Sequence, residues 1–499
     1  MDRKIIRIED LMSLSGVQFG TSGARGLALD MTDEVCYAYT AAFIQYLEER
    51  GELSGRSVIA IGGDLRSSTG RIMKAVARAV KDRGYTPENC GRLPSPAMAY
   101  YGILKSIPSV MVTGSHIPDD RNGIKFTTKN GEILKQDELG IKRQEIEIPA
   151  GLFDDKGAFS VETEMPAQAE EASELYIKRY IDFFGDNCLK GKRLGVYQHS
   201  AVGRDIMVKI FSNLGADVNP LGISDAFMPV DTEALRQEDI EAAAQWADEY
   251  HFDSIISTDG DSDRPLISDE NGRWLRGDVA GILCAAYLNA DVVVAPISCN
   301  TALEKCRLFK KIYRTKIGSP YVIEGMQNAL KEGFKLVVGY EANGGFLLGA
   351  DIESGGKILK ALPTRDAIIL HLAILLLSIR ENKKISELLS ELPQRFTASS
   401  RLKDFPTDIS KAKIDELHSG NEEKDKRIVQ GVFGKYFGSV ASTDATDGLR
   451  ITFESGEIVH LRPSGNAPEF RCYTEANTEA RAEEMNRICL DIMESWRQL

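Results

Sequence analysis

The chain has 499 residues, 43 % of them apolar, and a net charge of −13. At roughly 150 residues per domain this is three or four cores, and the missing basic surplus argues against nucleic acid or an anionic membrane as a partner. Eight scattered cysteines without a C-x-x-C pair or zinc spacing, and an N-terminus without an apolar stretch, fit a reduced, cytoplasmic chain.

In chain order, the first marked segment is Phe19-Gly20-Thr21-Ser22-Gly23-Ala24-Arg25-Gly26, in which glycines frame Arg25. The apolar run over 57–62 predicts a strand, followed by a helix over 71–83. Between them Gly63-Asp64-Leu65-Arg66 frames Arg66, which reads equally as a structural ion pair or as a source of positive field. A strand over 109–112 leads into Thr113-Gly114-Ser115-His116-Ile117-Pro118. His116 is no protease-type partner for Ser115, because adjacent side chains seldom pair as nucleophile and base and G-x-S-x-G is absent. A phosphorylated serine beside a divalent ion is different: transfer then needs positioning and charge stabilisation more than a strong base. His116 and Lys125 are candidate proton handlers or charge partners for it.

A polar stretch over 148–164 predicts a boundary, with a helix over 167–184 after it. The strand-then-helix pattern recurs at 193–197 with 202–214, and at 291–295 with 301–308. Three similar α/β domains with largely parallel strands are therefore expected. A strand over 253–257 enters Asp259-Gly260-Asp261-Ser262-Asp263-Arg264. Three carboxylates so close repel one another unless a cation lies between them, and hard oxygen ligands suit Mg²⁺. An EF-hand fits less well, since Arg264 stands where that loop demands glycine. Arg264 would lie beside the metal, positioned to hold an anion. A boundary is expected just past Trp274. Lys316 follows a predicted strand, and the strand over 335–339 leads to Glu341-Ala342-Asn343-Gly344-Gly345. One carboxylate at such a strand end can accept from two neighbouring hydroxyls of a pyranose. The run over 367–377, interrupted by His371, is shorter than the ~20 residues a bilayer takes, so a buried core helix is expected.

Beyond a boundary at 392–399 the tail reads as a smaller α+β domain. It carries a charged loop or hairpin over 419–425, strands over 429–439 and 449–461, and a closing helix over 478–499. Arg462-Pro463-Ser464-Gly465-Asn466-Ala467 offers successive N–H groups, a hydroxyl and a guanidinium, an anion nest to which Arg471 could add a second guanidinium. Neither G-x-x-x-x-G-K-[ST] nor G-x-G-x-x-G occurs, so nucleotide-driven transfer has no support. The predicted domains are 1–165, 166–275, 276–393 and 394–499.

These four motifs, in this order, resemble the α-D-phosphohexomutase family, over nearly the whole chain from Phe19 to Arg471. The resemblance implies three similar α/β domains with mainly parallel mixed sheets plus a smaller C-terminal α+β domain, around a central cleft. It implies Ser115 as a phosphoserine whose phosphate completes a Mg²⁺ shell with Asp259, Asp261 and Asp263. Arg25, His116 and Lys125 would serve proton transfer and charge stabilisation. Glu341 and Asn343 would read the sugar. Arg462, Ser464, Gly465 and Asn466, with Arg471, would hold the distal phosphate, and Lys316 would be a further substrate contact. The implied activity interconverts hexose 6-phosphate and hexose 1-phosphate through a hexose 1,6-bisphosphate, in a monomer or weak homodimer. Mannose phosphate is the expected substrate, with glucose or amino-sugar phosphates as the alternative. A non-catalytic phosphosugar-binding regulator on the same scaffold is the other class. Two departures bear on substrate choice: Gly345 where some members carry His, and Asn466-Ala467 where Thr-Glu is frequent.

Overall fold

The computed structural model describes residues 3–20, 22–55, 57–464 and 468–498. They fall into two compact units, Met1–Val293 with Ser319–Leu388, and Val294–Gly318 with Leu389–Leu499.

In the first unit, one sheet runs in the order Gln18–Phe19, Gly23–Leu27, Arg121–Thr128, Ser109–Val112, Val58–Gly63, Thr86–Arg92. Val58–Gly63 is parallel to both its neighbours. The helices Thr69–Asp82 and Ser95–Lys105 are the crossovers that parallel strands require. Residues 113–120 are fewer than the dozen or so a crossover takes, so the chain turns back on itself and Arg121–Thr128 pairs antiparallel. The second sheet repeats this plan. Asp217–Ile223 and Ser254–Thr258 flank Arg193–His199 in parallel, and residues 259–264 reverse the chain into antiparallel Pro265–Ile267. The hairpin of Val337–Tyr340 and Phe346–Leu348, joined by residues 341–345, is the third instance. In all three the reversing loop follows a strand that is buried along its whole length. Ligands of open α/β sheets bind at such carboxyl ends.

The core of the first sheet is built on Asp33–Glu49 and Thr69–Asp82, with Phe43 stacked on Phe126 at 4.6 Å. Thr32 caps Asp33–Glu49 by accepting the Val35 N–H, with Asp33 and Glu34 in the first turn. The apolar run around His371 is the helix Ala367–Glu381, capped by Asp366 and buried from Ala367 to Ser378. Among the described residues no helix is long and apolar enough to cross a membrane.

The second unit holds a five-stranded antiparallel sheet in the order Phe396–Leu402, Phe470–Ala476, Ile458–Pro463, Leu449–Phe453, Val440–Asp444. Its core packs against Glu422–Phe437 and Glu479–Ser495. Two expectations are corrected here. The strand expected over 429–439 is the second half of the helix Glu422–Phe437, whose first turn also takes the end of the loop expected over 419–425. Val429, Phe433 and Phe437 are buried at a spacing of four, the period of one helix face. Asn421 caps that helix, acidic residues fill its first turn, and Gly438 ends it at φ 87°. The single strand expected over 449–461 is two, Leu449–Phe453 and Ile458–Pro463, because Gly456 at φ 80° turns the chain between them.

Candidate active site

Ser115 sits in the first reversing loop at φ 57°, a left-handed conformation that costs a non-glycine residue energy and that surrounding contacts must hold. Arg66 holds it. Its guanidinium, fully buried, pairs with Asp64 at 3.1 Å and donates to the carbonyls of Ser115 (2.7 Å), Ile117 (2.6 Å), Pro118 (2.6 Å) and Arg121 (3.1 Å). Gly114 leaves room for it: a Cβ there would lie 2.7 Å from Arg66 Cζ. The Ser115 N–H donates to Thr113 Oγ1 at 2.8 Å. The Ser115 hydroxyl donates to Asp259 Oδ2 at 2.7 Å and lies 3.3 Å from His116 Nδ1. Burial, then the charges of Arg264 and Arg25, push the His116 ring far below its ordinary value and keep it neutral.

The second loop brings Asp259, Asp261 and Asp263 together, buried, with one oxygen of each within 4.8 Å of the others. Asp259 Oδ1 accepts the N–H groups of Asp263 and Arg264, both at 3.2 Å. Asp261 Oδ2 accepts from Ser95 Oγ and Lys125 Nζ, both at 2.6 Å. Asp263 Oδ2 accepts from Lys125 at 2.8 Å and from Arg365 Nε at 3.0 Å. Arg264 Nε lies 3.8 Å from Asp259 and from Asp263, an ion pair without hydrogen-bond geometry. The electrostatics divide the three. Burial and the two neighbouring carboxylates hold Asp259 well above the usual carboxylate range. Burial raises Asp261 too, but Lys125 and Ser95 outweigh it and leave that carboxyl low. Oδ1 of Asp261 and Oδ1 of Asp263 are buried with no hydrogen-bond partner. Orphaned carboxylate oxygens converging on one spot are what a hard cation would satisfy, so these residues fit a metal ion.

Lys125 reaches the loop from Arg121–Thr128, opposite Gly23 in the adjoining strand. A Cβ at position 23 would lie 1.9 Å from the Ile124 carbonyl oxygen, so only glycine allows this approach. Arg25 follows two residues later on Gly23–Leu27, and burial, then Arg264, lower its guanidinium to about 10.

In the third loop the Glu341 N–H donates to the Gly345 carbonyl at 3.1 Å, and Asn343 Oδ1 accepts the Gly345 N–H at 2.9 Å. Sequence reasoning missed Arg365, which bridges two loops: Nε on Asp263 at 3.0 Å and Nη1 on Glu341 at 3.2 Å. A Cβ at position 345 would lie 2.5 Å from Arg365 Cγ and Cδ, so Gly345 is the space that arginine occupies. Its one signal in the sequence was its place directly before Asp366, the cap of the apolar helix.

In the second unit Arg462 Nε lies 2.9 Å from Asp447, without hydrogen-bond geometry, and Asp447 also accepts the Ile317 N–H beside Lys316 at 2.9 Å. Ser464 is buried, and its N–H donates to the Glu469 carbonyl. Arg471 lies across from Arg462 in the sheet and donates to Glu469 at 3.2 Å. Gly465 and Asn466 lie outside the described residues.

Four domain families match the chain in order. They are described as phosphoglucomutase/phosphomannomutase alpha/beta/alpha domain I over residues 16–147, domain II over 176–272, domain III over 276–396, and the C-terminal domain over 412–491. The chain is 43 % identical to a phosphomannomutase of Salmonella muenchen over 480 residues, 96 % of each protein. It is 41 % identical to a phosphomannomutase of Sinorhizobium fredii (strain NBRC 101917 / NGR234), covering 96 % of this chain and 99 % of that one. Among solved structures it resembles a phosphoglucomutase/phosphomannomutase family protein from Burkholderia thailandensis, with a TM-score of 0.69, 17 % identity, and 96 % and 97 % coverage of the two chains. It also resembles the Aspergillus fumigatus N-acetylphosphoglucosamine mutase in complex with GlcNAc-6P and magnesium, with a TM-score of 0.59, 14 % identity, and 98 % and 99 % coverage.

Proposed function

The chain belongs to the phosphoglucomutase/phosphomannomutase family, and from that premise we propose that it interconverts mannose 6-phosphate and mannose 1-phosphate in the cytoplasm. The observation that carries this reading is the 2.7 Å hydrogen bond from Ser115 to Asp259, which joins a nucleophile to a buried three-carboxylate loop. The choice of mannose rests on two relatives above 40 % identity, both named phosphomannomutases.

In this reading Ser115 carries the phosphoryl group. The free hydroxyl of the hexose monophosphate attacks phosphorus, and its proton passes to Ser115 Oγ as the bond from phosphorus to that oxygen breaks. The product, a 1,6-bisphosphate, turns end for end. Ser115 Oγ then attacks the other phosphorus, and its proton passes to the sugar oxygen as that oxygen leaves, with the neutral His116 ring 3.3 Å from the serine hydroxyl to orient it. Arg25, Lys125 and Arg264 balance the charge that develops. Burial of Ser115 excludes the water that would hydrolyse its phosphate. Asp259, Asp261 and Asp263, with an oxygen of phosphorylated Ser115, would hold Mg²⁺, the ion named with the Aspergillus fumigatus enzyme. When bound, the ion supplies charge neutralisation at phosphoryl oxygens. Glu341 and Asn343 take the sugar hydroxyls in both orientations, because O3 and O4 roughly exchange places when the sugar turns. Lys316, Arg462, Ser464, Gly465, Asn466 and Arg471 take the phosphate that is not transferred. Domain boundaries near residues 165, 275 and 393 are part of the same proposal.

A coupled assay comparing mannose 1-phosphate with glucose 1-phosphate and glucosamine 1-phosphate tests the substrate. A clear preference for a substrate other than mannose phosphate sinks that part. Ser115→Ala should abolish exchange and abolish labelling of the protein by sugar bisphosphate; near-normal turnover by that variant would sink the mechanism.

A further inference from the structure

A fourth segment, residues 224–236 between Asp217–Ile223 and Gln237–Tyr250, reaches the metal loop, the sugar loop and Arg66. Phe227 lies under the Arg66 guanidinium, 4.0 Å from ring centroid to Cζ, and packs so closely on the metal loop that a Cβ at Gly260 would meet its ring at 2.8 Å. Thr232, buried, donates its hydroxyl to the Asn343 carbonyl at 2.9 Å. Between these anchors Asp231 Oδ1 accepts the Glu233 N–H at 3.0 Å, a local turn that projects Glu233. Glu233 directly follows the residue that bonds the sugar loop, and the charges that act on it are Arg264, Asp231, Glu341 and Arg276.

Each carboxylate around it already has a partner on at least one oxygen. Asp259 accepts from Ser115, Asp261 and Asp263 accept from Lys125, and Glu341 is paired with Arg365. Glu233, partly buried, has no side-chain hydrogen bond or ion pair among the described residues. Burial, ahead of its charged neighbours, raises its carboxyl above the usual range, so charge there is costly unless a donor approaches. Resting on the sugar-phosphate reading above, we propose that Glu233 is a second sugar-reading carboxylate. With Glu341 assigned to O3 and O4, the hydroxyl next in line is the one on C2, where mannose and glucose differ. Glu233 accepts its hydrogen bond and so determines specificity.

The test uses full-length protein, the isosteric Glu233→Gln variant, mannose 1-phosphate, and 2-deoxyglucose 1-phosphate, which lacks that hydroxyl. Wild type should lose about 10- to 100-fold in kcat/KM on the deoxy compound, the scale of one hydrogen bond to a charged acceptor. Glu233→Gln should lose a similar factor on mannose 1-phosphate yet show no further loss on the deoxy compound, with an unchanged melting temperature. Should it fold poorly, Glu233→Ala serves the same comparison. Equal losses on both substrates, or an unaltered variant, overturn the inference while leaving the functional reading intact. A wild-type chain inactive on every hexose phosphate overturns both.

Discussion

Arg66→Met tests whether the serine loop is held from behind by a buried cation. Asp64 and Arg66 are both fully buried, and breaking such a pair by removing one partner costs about 3–5 kcal/mol. The Asp64 carboxylate would keep the Thr69 and Thr113 hydroxyls at 2.7 Å, which places the loss toward the lower part of that range. Of the four carbonyls Arg66 serves, only the bond to Ser115 is buried at both ends. The other three can turn to water, whereas leaving the Ser115 carbonyl unsatisfied adds about 1–3 kcal/mol. The total is about 5 kcal/mol, which at about 1–2 °C per kcal/mol for a unit as large as the one that holds Arg66 lowers its melting transition by about 5–10 °C. Scanning calorimetry measures this, with the double variant Asp64→Asn/Arg66→Met beside it. Removing both charges should recover most of the stability without restoring mutase activity, since nothing then ties the loop. A single variant melting within about 2 °C of wild type, or a double variant no more stable than the single, would refute the reasoning.

Gly345→Ala puts a methyl group where Arg365 runs and should raise KM for sugar phosphate about 10- to 100-fold by displacing the Arg365–Glu341 pair, with little change in kcat; an unchanged KM would contradict the steric argument. Chelation should lower the melting temperature by an amount that grows with the logarithm of ion affinity, about 2.7 kcal/mol at a hundredfold excess over Kd, and Asp261→Asn should blunt that response; a chelator-insensitive wild type would speak against a metal at the triad. Burial depresses His371 to about 3, so the folded state binds fewer protons there than the unfolded chain. Its contribution is complete above pH 6.5 and falls by about 1.4 kcal/mol per pH unit as pH drops toward the folded value. His371→Gln should therefore flatten the acid limb of a stability-against-pH curve, and an identical limb would remove His371 from that account.

The motifs were legible because their chemistry is local. Ser109–Val112 was read with its observed limits, and the strand before the aspartates was placed one residue early. The helix Glu422–Phe437 was misread although its cap, acidic first turn and four-residue apolar spacing were all present. A short window over Val429 and its neighbours shows β-branched and aromatic residues and hides the period. Arg66 was undecidable from sequence, since a framed arginine suits a ligand and a carbonyl cluster equally well.

The sequence by itself determined the short loops that follow apolar strands, their residue types, and the order in which Ser115, the three aspartates and Glu341 occur. Folding alone decided that Ser115 meets Asp259, that Arg365 spans Asp263 and Glu341, and that Thr232 bonds the Asn343 carbonyl. Strand and turn preferences act over a few residues, so they are written in short segments. A contact between side chains on different loops, 144 positions apart for Ser115 and Asp259, depends on how sheets and helices stack, and no spacing along the chain records it.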